Sequence, residues 1–361
     1  MPFVNGVDDS RTSVARRLAE RIRREGTLPF ASVMEEALYG EGGYYAQERT
    51  PIGADGDFVT GSSLSPMFGR ATARWVERVA AALGGPADYV EIGYGGAEHL
   101  ETVAASLGES GGRVLAWDRV AREVPPGVRR LADLGELSGL GVEGVVFSYE
   151  LFDAFPVHRL IGLPDGGVGE LWVDWDAERG FVYREGGLSH PGLVDLLGGH
   201  RLAPGQVADL APSWRPLYRE LATAIRRGLL ITCDYGFERG LLLDARVRRH
   251  GTLACYSRHR VSRDALADLG DRDLTAHVDF TALREVGESA GLETVAFTRQ
   301  ARWLVAGGIF EEIASTGAPA SAQARMLLDG EGMGEEIRVL VQSKSLSGKG
   351  LLDTSLVLGS P

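Results

Sequence analysis

A run from Glu91 to Ala97 combines an acidic residue with several glycines between a predicted strand and a predicted helix. Glycine at such a turn permits positive φ angles and lets the backbone approach a ligand closely. The N–H groups that open the helix can bind a carboxylate or a phosphate. Gly93 and Gly95 begin the pattern of a dinucleotide-binding turn, but Glu98 stands where its third glycine belongs. The turn therefore predicts a ligand site of a different kind.

Acidic residues stand at or just after the ends of four predicted strands: Glu91, Asp118, Glu150 and Asp234. The carboxyl ends of parallel strands meet at one edge of a sheet, so we expect these carboxylates to gather beside a ligand crevice. An acid just before the first glycine is typical of a turn that holds the methionine part of S-adenosylmethionine. Asp118 is placed to accept hydrogen bonds from ribose hydroxyls. The alternative is that each acid caps a following helix.

The elements that position these residues follow from short apolar runs. Strands are predicted at residues 88–93, 113–118, 144–150 and 228–234, with a helix at 97–107 after the first. Apolar strands that alternate with helices indicate βαβ units and a parallel sheet. The fold class is therefore α/β.

Other patterns surround this sheet. Apolar and polar residues alternate at 169–174 and 180–184 around a short turn, which predicts a β-hairpin. The later chain predicts an irregular basic region at 246–263, a helix at 280–290 and strands at 293–297 and 337–342. This late helix and its two strands resemble the closing hairpin of a class I methyltransferase sheet, although a mixed Rossmann sheet could end similarly.

Composition limits the kinds of partner. The 361 residues are 44% hydrophobic and 24% charged, which is typical of a folded protein with one large or two moderate domains. The 50 acidic residues outnumber the 38 basic ones, and the net charge of −12 disfavours a nucleic-acid partner. The 49 glycines are about twice the usual share, which predicts many turns or close backbone approaches.

Cysteine usage and the N-terminus bear on location. Cys233 and Cys255 belong to no CxxC or Cys/His cluster, so we expect neither a disulfide framework nor a metal site. No apolar run approaches the length of a membrane span. Residues 11–25 are Arg-rich, but Glu20 and Glu25 favour an ordinary amphipathic helix over a mitochondrial presequence. We therefore expect a bacterial cytoplasmic protein with no membrane partner; a homodimer is left open.

Several longer blocks occur in a fixed order, and they are Tyr44-Tyr45, Gly56 to Thr60, Leu64 to Gly69, Glu91 to Gly95, Tyr149 to His158, Cys233 to Gly236, Gly251 to Leu253 with Tyr256 and His259, Asp273 to Phe280, and Met333 to Glu335. Together they resemble the MidA-like family, whose eukaryotic branch is the mitochondrial complex I assembly methyltransferase. The resemblance extends from about Phe30 to Lys344, and the order and length of the blocks make it specific.

The resemblance implies an S-adenosyl-L-methionine-dependent methyltransferase with a class I Rossmann-like sheet, an N-terminal helical cover and an inserted hairpin and helical substrate region. Carboxylates and aromatic faces would stabilise the cationic sulfonium. The residues that it assigns to the cofactor are Tyr45, Asp57, Phe58, Thr60, Ser65, Glu91, Gly93, Tyr94, Gly95, Asp118, Asp133 and Glu150. A plain turn between two helices is the alternative for the block that holds Asp57, Thr60 and Ser65.

The resemblance also implies a protein arginine as the methyl acceptor. A guanidinium is always protonated, so carboxylates must orient it and draw on its positive charge. Glu150 and Asp153 are the candidates, with His277 or Asp279 as a proton acceptor on the other side. The alternatives are a helix N-cap for Asp153 and a structural hydrogen-bonded residue for His277.

In domain terms we expect an N-terminal cover at 1–80, the first half of the core at 81–160, the inserted region at 161–227 and the second half of the core at 228–361, with a lid-like loop at 237–275. Two other functions compete with arginine methylation. One is methyl transfer to a small molecule, and the other is a non-catalytic assembly factor that retains the fold.

Overall fold

A computed structural model describes residues 12–47, 61–108, 111–257, 260–316, 324–328 and 333–346. The helices of the described residues include α1 Ser13–Glu25, α2 Phe30–Tyr39, α3 Gly61–Leu64, α4 Pro66–Leu83, α5 Glu98–Leu107, α6 Gly135–Leu140, α7 Arg215–Ala224, α8 Arg239–Leu242, α9 Phe280–Ser289, α10 Gln300–Ala306, α11 Ile309–Thr316 and α12 Met333–Glu336. Two 3-10 turns are added at Tyr44–Ala46 and Pro191–Leu197. The amphipathic helix predicted for residues 11–25 is confirmed as α1.

The strands are β1 Leu28–Pro29, β2 Asp88–Ile92, β3 Val114–Trp117, β4 Arg129–Arg130, β5 Val142–Tyr149, β6 His158–Gly162, β7 Val168–Asp176, β8 Gly180–Gly186, β9 Val207–Leu210, β10 Ile225–Phe237, β11 Ala254–Ser257, β12 Arg260–Ser262, β13 Asp273–Thr275, β14 Val278–Asp279, β15 Glu293–Arg299 and β16 Ile337–Lys344. The four strands predicted from apolar runs are β2, β3, β5 and β10. The predicted hairpin is β7 and β8, which pair antiparallel, and the two late strands are β15 and β16.

The chain divides into two compact units. Unit 1 holds residues 1–51, 154–212 and 243–276, and unit 2 holds 52–153, 213–242 and 277–361. Residues 12–47 of the predicted N-terminal cover thus belong to unit 1, whereas residues 61–80 belong to unit 2. The division into cover, two core halves and inserted region remains a prediction about roles.

Unit 2 is built on one mixed sheet. Its strand order is β15-β16-β10-β5-β2-β3-β4, and β14 pairs with the end of β10. The pairs from β4 to β10 are parallel, whereas β16 runs antiparallel to both β10 and β15. The register aligns Ile92 with Trp117 and with Ser148, and Tyr149 with Cys233. The chain therefore leaves β2, β3, β5 and β10 at the same edge.

A buried aromatic cluster supports one face of this sheet. Phe68 and Trp75 come from α4, Phe147 comes from β5, and Trp303 comes from α10. The ring centroids of Phe68 and Trp303 lie 5.6 Å apart, and those of Trp75 and Trp303 lie 6.2 Å apart. All four rings are buried. Burial of such large apolar surfaces fixes the helices against the strands and so fixes where the strands end.

Unit 1 contains two smaller sheets. One has the order β1-β7-β6-β9, with β8 paired to β7, and the other has the order β12-β11-β13. The second sheet corrects the expectation of an irregular region at 246–263, because β11 and β12 form a short antiparallel pair there. The predicted lid-like loop at 237–275 likewise contains α8 and these strands. Asp209 on β9 links the two sheets, because it accepts hydrogen bonds from the N–H groups of Thr252 and Leu253, just before β11, at 2.7 and 2.9 Å.

Candidate active site

The glycine turn after β2 lies at the carboxyl edge of the unit 2 sheet. Gly93 and Gly95 have φ angles of 70° and 53°, in the region that favours glycine. The Gly93 N–H donates to the Trp117 carbonyl at 2.7 Å, which ties the turn to the end of β3. A Cβ atom at Gly93 would lie 2.7 Å from Cδ1 of Leu151, so the turn also packs closely against the segment that follows β5.

Asp118 closes this turn from the neighbouring strand. Its Oδ2 accepts the Gly95 N–H at 3.0 Å, and its Oδ1 accepts the Val120 N–H at 2.9 Å. Burial raises the pKa of Asp118, while these N–H donors act in the opposite direction. The carboxylate is therefore positioned by backbone on both sides. Each oxygen retains a lone pair that can accept a further donor.

Glu91 lies beneath the turn in a buried polar network. It accepts from the Tyr89 hydroxyl at 2.8 Å and contacts Nδ1 of His99 at 3.0 Å. Nε2 of His99 lies 3.2 Å from the Thr72 hydroxyl. The network links β2 to α4 and α5, so Glu91 holds the two elements that flank the turn.

The segment after β5 carries two of the predicted catalytic residues. Glu150 is half-buried and has a φ of 47°, an uncommon angle for a residue other than glycine. Its N–H donates to the Cys233 carbonyl at 2.9 Å. Asp153 is 5% exposed. The interpretation of Asp153 as a helix N-cap is wrong, because residues 151–157 form a turn that leads into β6.

Asp234 is the fully buried acid near the end of β10. Its Oδ2 accepts the Leu151 and Phe152 N–H groups at 3.1 and 2.8 Å, and its Oδ1 accepts the Tyr235 N–H at 2.8 Å. Its pKa is raised to about 8, chiefly by burial; the Phe152 N–H opposes the shift and the Glu150 carboxylate adds to it. Asp234 thus connects β10 directly to the segment that bears Glu150.

His277 and Asp279 lie beside the end of β10 through the parallel pairing of β14. The His277 ring centroid is 5.3 Å from that of Phe237. Asp279 is the N-cap of α9 and accepts the Ala282 N–H at 3.0 Å. It also accepts from Nε of Arg239 at 2.7 Å. The Asp279 carboxylate is therefore engaged in holding α9, which leaves His277 as the candidate proton acceptor of this pair.

Two tyrosines near the edge are buried and hydrogen-bonded. The Tyr94 hydroxyl donates to the Arg122 carbonyl at 2.7 Å, and burial raises its pKa. The Tyr149 hydroxyl donates to Oε1 of Gln300 at 2.6 Å. The Tyr149 ring packs edge-on against Phe68 with centroids 5.1 Å apart. Both phenols therefore stay neutral and serve as fixed aromatic surfaces.

The remaining predicted cofactor residues are divided between the two units and the part of the chain that the structure does not describe. Ser65 is buried and caps α4, where its hydroxyl accepts the Met67 N–H at 3.4 Å. Asp133 is exposed in unit 2 and accepts the Gly135 N–H at 2.7 Å. Tyr45 belongs to unit 1, where its hydroxyl donates to Asp273 at 2.9 Å. Asp57, Phe58 and Thr60 lie outside the described residues.

His99 and Gln300 were not predicted from the sequence. Each is a polar side chain on an otherwise apolar helix face, and each is buried, at 3% and 0% exposure. A polar residue on an apolar helix face is the sequence signal that could have marked them, because a polar group that becomes buried almost always has a hydrogen-bond partner. The sequence marks Asp234 as one of four strand-end acids and as part of the block Cys233 to Gly236, and predicts no separate role for it.

Residues 117–298 match the S-adenosyl-L-methionine-dependent methyltransferase family Methyltransf_28. Because the match covers half of the chain, the protein belongs to this family. It is a methyltransferase that uses S-adenosyl-L-methionine.

Solved structures and curated relatives agree with this class. A COG1565 superfamily member from Burkholderia thailandensis, bound to S-adenosyl-homocysteine, is 28% identical with a TM-score of 0.84, over 93% of this chain and 92% of that chain. This likeness confirms the α/β methyltransferase fold. The Drosophila melanogaster protein arginine methyltransferase NDUFAF7 homolog, mitochondrial, is 26% identical over 77% of this chain and 71% of its own. Human NDUFAF7, named in the same way, is 25% identical over 77% and 69%.

The residues at the carboxyl edge fit S-adenosylmethionine. Gly93 and Gly95 both have positive φ angles that favour glycine, so the turn can present bare backbone to a ligand. The acids Asp118 and Glu150 could supply negative charge to attract a sulfonium cation. Among the described residues, no His, Cys, Asp and Glu cluster could hold a metal ion. No helix in the described part of the chain is long and apolar enough to cross a membrane.

Proposed function

We propose that the protein transfers methyl groups from S-adenosylmethionine to the guanidinium nitrogen of an arginine in a protein partner. The observation that carries the proposal is the segment after β5, where Glu150 and Asp153 follow a strand end and Leu151 between them packs against the glycine turn. Curated relatives that align over about three quarters of this chain are named protein arginine methyltransferases, which supports the same acceptor.

Glu150 and Asp153 would act on the acceptor by binding it. A guanidinium presents a planar fork of N–H donors, and carboxylates accept two of them in parallel. Such pairing fixes the direction of the reacting nitrogen, and it draws positive charge toward the carboxylates. Because Glu150 is half-buried, its charge faces less competition from water than a surface carboxylate would.

Gly93, Gly95 and Asp118 would hold the cofactor, and S-adenosylmethionine supplies an electrophilic methyl group on sulfur when it is bound. The transfer requires alignment of two groups more than covalent catalysis. The nitrogen must also lose a proton. His277, in the segment paired with the end of β10, would accept that proton.

The test uses two matched peptides with tritiated S-adenosylmethionine. Each is an acetylated glycine peptide with one central residue, arginine in the first and lysine in the second. We expect label in the arginine peptide alone, and recovery as methylarginine after acid hydrolysis. Label confined to small molecules of an added bacterial lysate would contradict the proposal and favour the small-molecule acceptor. A protein that binds S-adenosylhomocysteine and labels nothing would favour the non-catalytic assembly factor.

The same assay separates acceptor binding from cofactor binding through Glu150→Gln. The amide keeps the size of the side chain but loses the charge that pairs with the guanidinium. We expect the rate of methyl transfer to fall about 100-fold while S-adenosylhomocysteine affinity changes little, because the carboxylate orients the acceptor nitrogen for the transfer step. Unchanged turnover would remove Glu150 from this role.

The expected roles of the chain segments complete the proposal. The N-terminal residues 1–80 would cover the cofactor, and residues 161–227 would contribute to acceptor recognition. The net charge of −12 supports a cationic acceptor. The bacterial cytoplasm remains the expected location.

A further inference from the structure

The Asp234 side chain serves the segment after β5 more than its own strand. β10 is already joined by its backbone to β5 on one side and to β16 on the other. The carboxylate of Asp234 adds nothing to either ladder. Instead, its Oδ2 accepts the N–H groups of Leu151 and Phe152, the two residues directly after Glu150.

These bonds act where the backbone is least favourable. Glu150 has a φ of 47°, and side chains with a Cβ rarely adopt this angle without support. The support comes from three bonds to β10, because the Glu150 N–H also donates to the Cys233 carbonyl. The direction of the Glu150 side chain depends on this angle.

Both oxygens of Asp234 are engaged within the protein at 0% exposure, so the residue is not placed to touch an acceptor. We propose that Asp234 is a positioning residue for methyl transfer, which holds the segment 150–153 so that Glu150 and Asp153 point into the acceptor site. This inference rests on the proposed role of Glu150 in acceptor binding. Asp234 would thus act on methyl transfer indirectly, by holding the segment that follows the neighbouring strand β5.

Asp88 offers a matched control in the same unit. It is also a buried aspartate at a strand end, and it accepts two backbone N–H groups, from Arg113 at 3.0 Å and Glu143 at 3.2 Å. It differs from Asp234 in that it also pairs with the Arg113 guanidinium at 2.6 Å. It begins β2, however, and so lies at the opposite edge of the sheet from Glu150. Its loss should reduce stability without moving the segment after β5.

The experiment compares Asp234→Ala, Asp234→Asn and Asp88→Ala in the full-length protein. Amide hydrogen exchange of peptides that cover residues 150–152 is measured together with transfer kinetics on the arginine peptide and total label transferred to a bacterial lysate. We expect Asp234→Ala to speed exchange at 150–152 and to lower kcat about 100-fold, with S-adenosylhomocysteine affinity within a few-fold of wild type. Asparagine retains one carbonyl oxygen for the Leu151 and Phe152 N–H groups, so Asp234→Asn should recover part of both losses.

Two results would overturn the inference. One is unchanged exchange at 150–152 in both Asp234 variants. The other is a loss of transfer no greater than that of Asp88→Ala at a similar loss of stability. If the wild-type protein labels small molecules and not arginine, the proposed function fails. The comparison of Asp234 with Asp88 through total label then still decides the role of Asp234.

Discussion

At the scale of single residues, Asp234 and Glu150 place two carboxyl groups near the ends of neighbouring strands. Burial and the nearby Glu150 carboxylate raise the pKa of Asp234 to about 8. Burial raises the pKa values of Tyr149 and Cys233, and the nearby Asp234 carboxyl group adds to both shifts. Arg338 on β16 is the residue paired with Asp234 in the strand register. Burial and the neighbouring carboxylate therefore favour the protonated form of Asp234.

This shift predicts a pH dependence of stability. Between its ordinary pKa of 3.8 and the folded value of about 8, the folded protein holds a proton at Asp234 that the unfolded chain has released. The free energy of unfolding should therefore fall as pH rises through this window. Asp234→Asn cannot ionise, so its decline over the same window should be shallower. Urea unfolding at several pH values measures both slopes, and equal slopes would contradict the shift.

The sequence predicted which acids stand at the strand ends, but not what each one does. The bonds from Asp234 to Leu151 and Phe152 depend on the register that pairs Tyr149 with Cys233, and no local pattern encodes it. The partnership of Glu91 with His99 likewise depends on how α5 packs on β2.

At the scale of elements, the turn from β2 to α5 is the best-predicted part of the site. Its apolar strand, glycines and following helix are local signals, and the structure differs from the predicted helix by one residue at its start. Weaker elements escaped prediction for physical reasons. β4 is two exposed arginines, and β11 and β12 have only four and three residues, too short to show a period.

The substitution Gly93→Ala tests whether the turn needs glycine to bind S-adenosylhomocysteine. A Cβ there meets Cδ1 of Leu151 at 2.7 Å and also faces an unfavourable φ of 70°. Gly84, at the end of α4, has a similar φ of 76° but no atom within 4 Å of an added Cβ. Both alanine variants should lose about 1–2 kcal/mol of stability from the backbone angle. Calorimetry should show loss of S-adenosylhomocysteine binding in Gly93→Ala alone, whereas retained binding there would show that the turn tolerates a side chain.

At the scale of the whole molecule, the fold class was predictable because the parallel strands are strongly apolar and evenly spaced. The division into two units was not, because each unit collects three separated segments of the chain. Segments such as residues 154–212 and 243–276 come together only through tertiary contacts. The family match and the aligned structures identify the methyltransferase class and leave the acceptor to experiment.

We propose that methyl transfer takes place at the carboxyl edge of the unit 2 sheet. Hydrogen exchange of the full-length protein, with and without saturating S-adenosylhomocysteine, tests this most directly and needs no acceptor. We expect slower exchange in peptides that cover residues 93–95, 118–120 and 149–153, with little change across the β7 and β8 hairpin. Protection confined to unit 1, or none at these three segments, would contradict it.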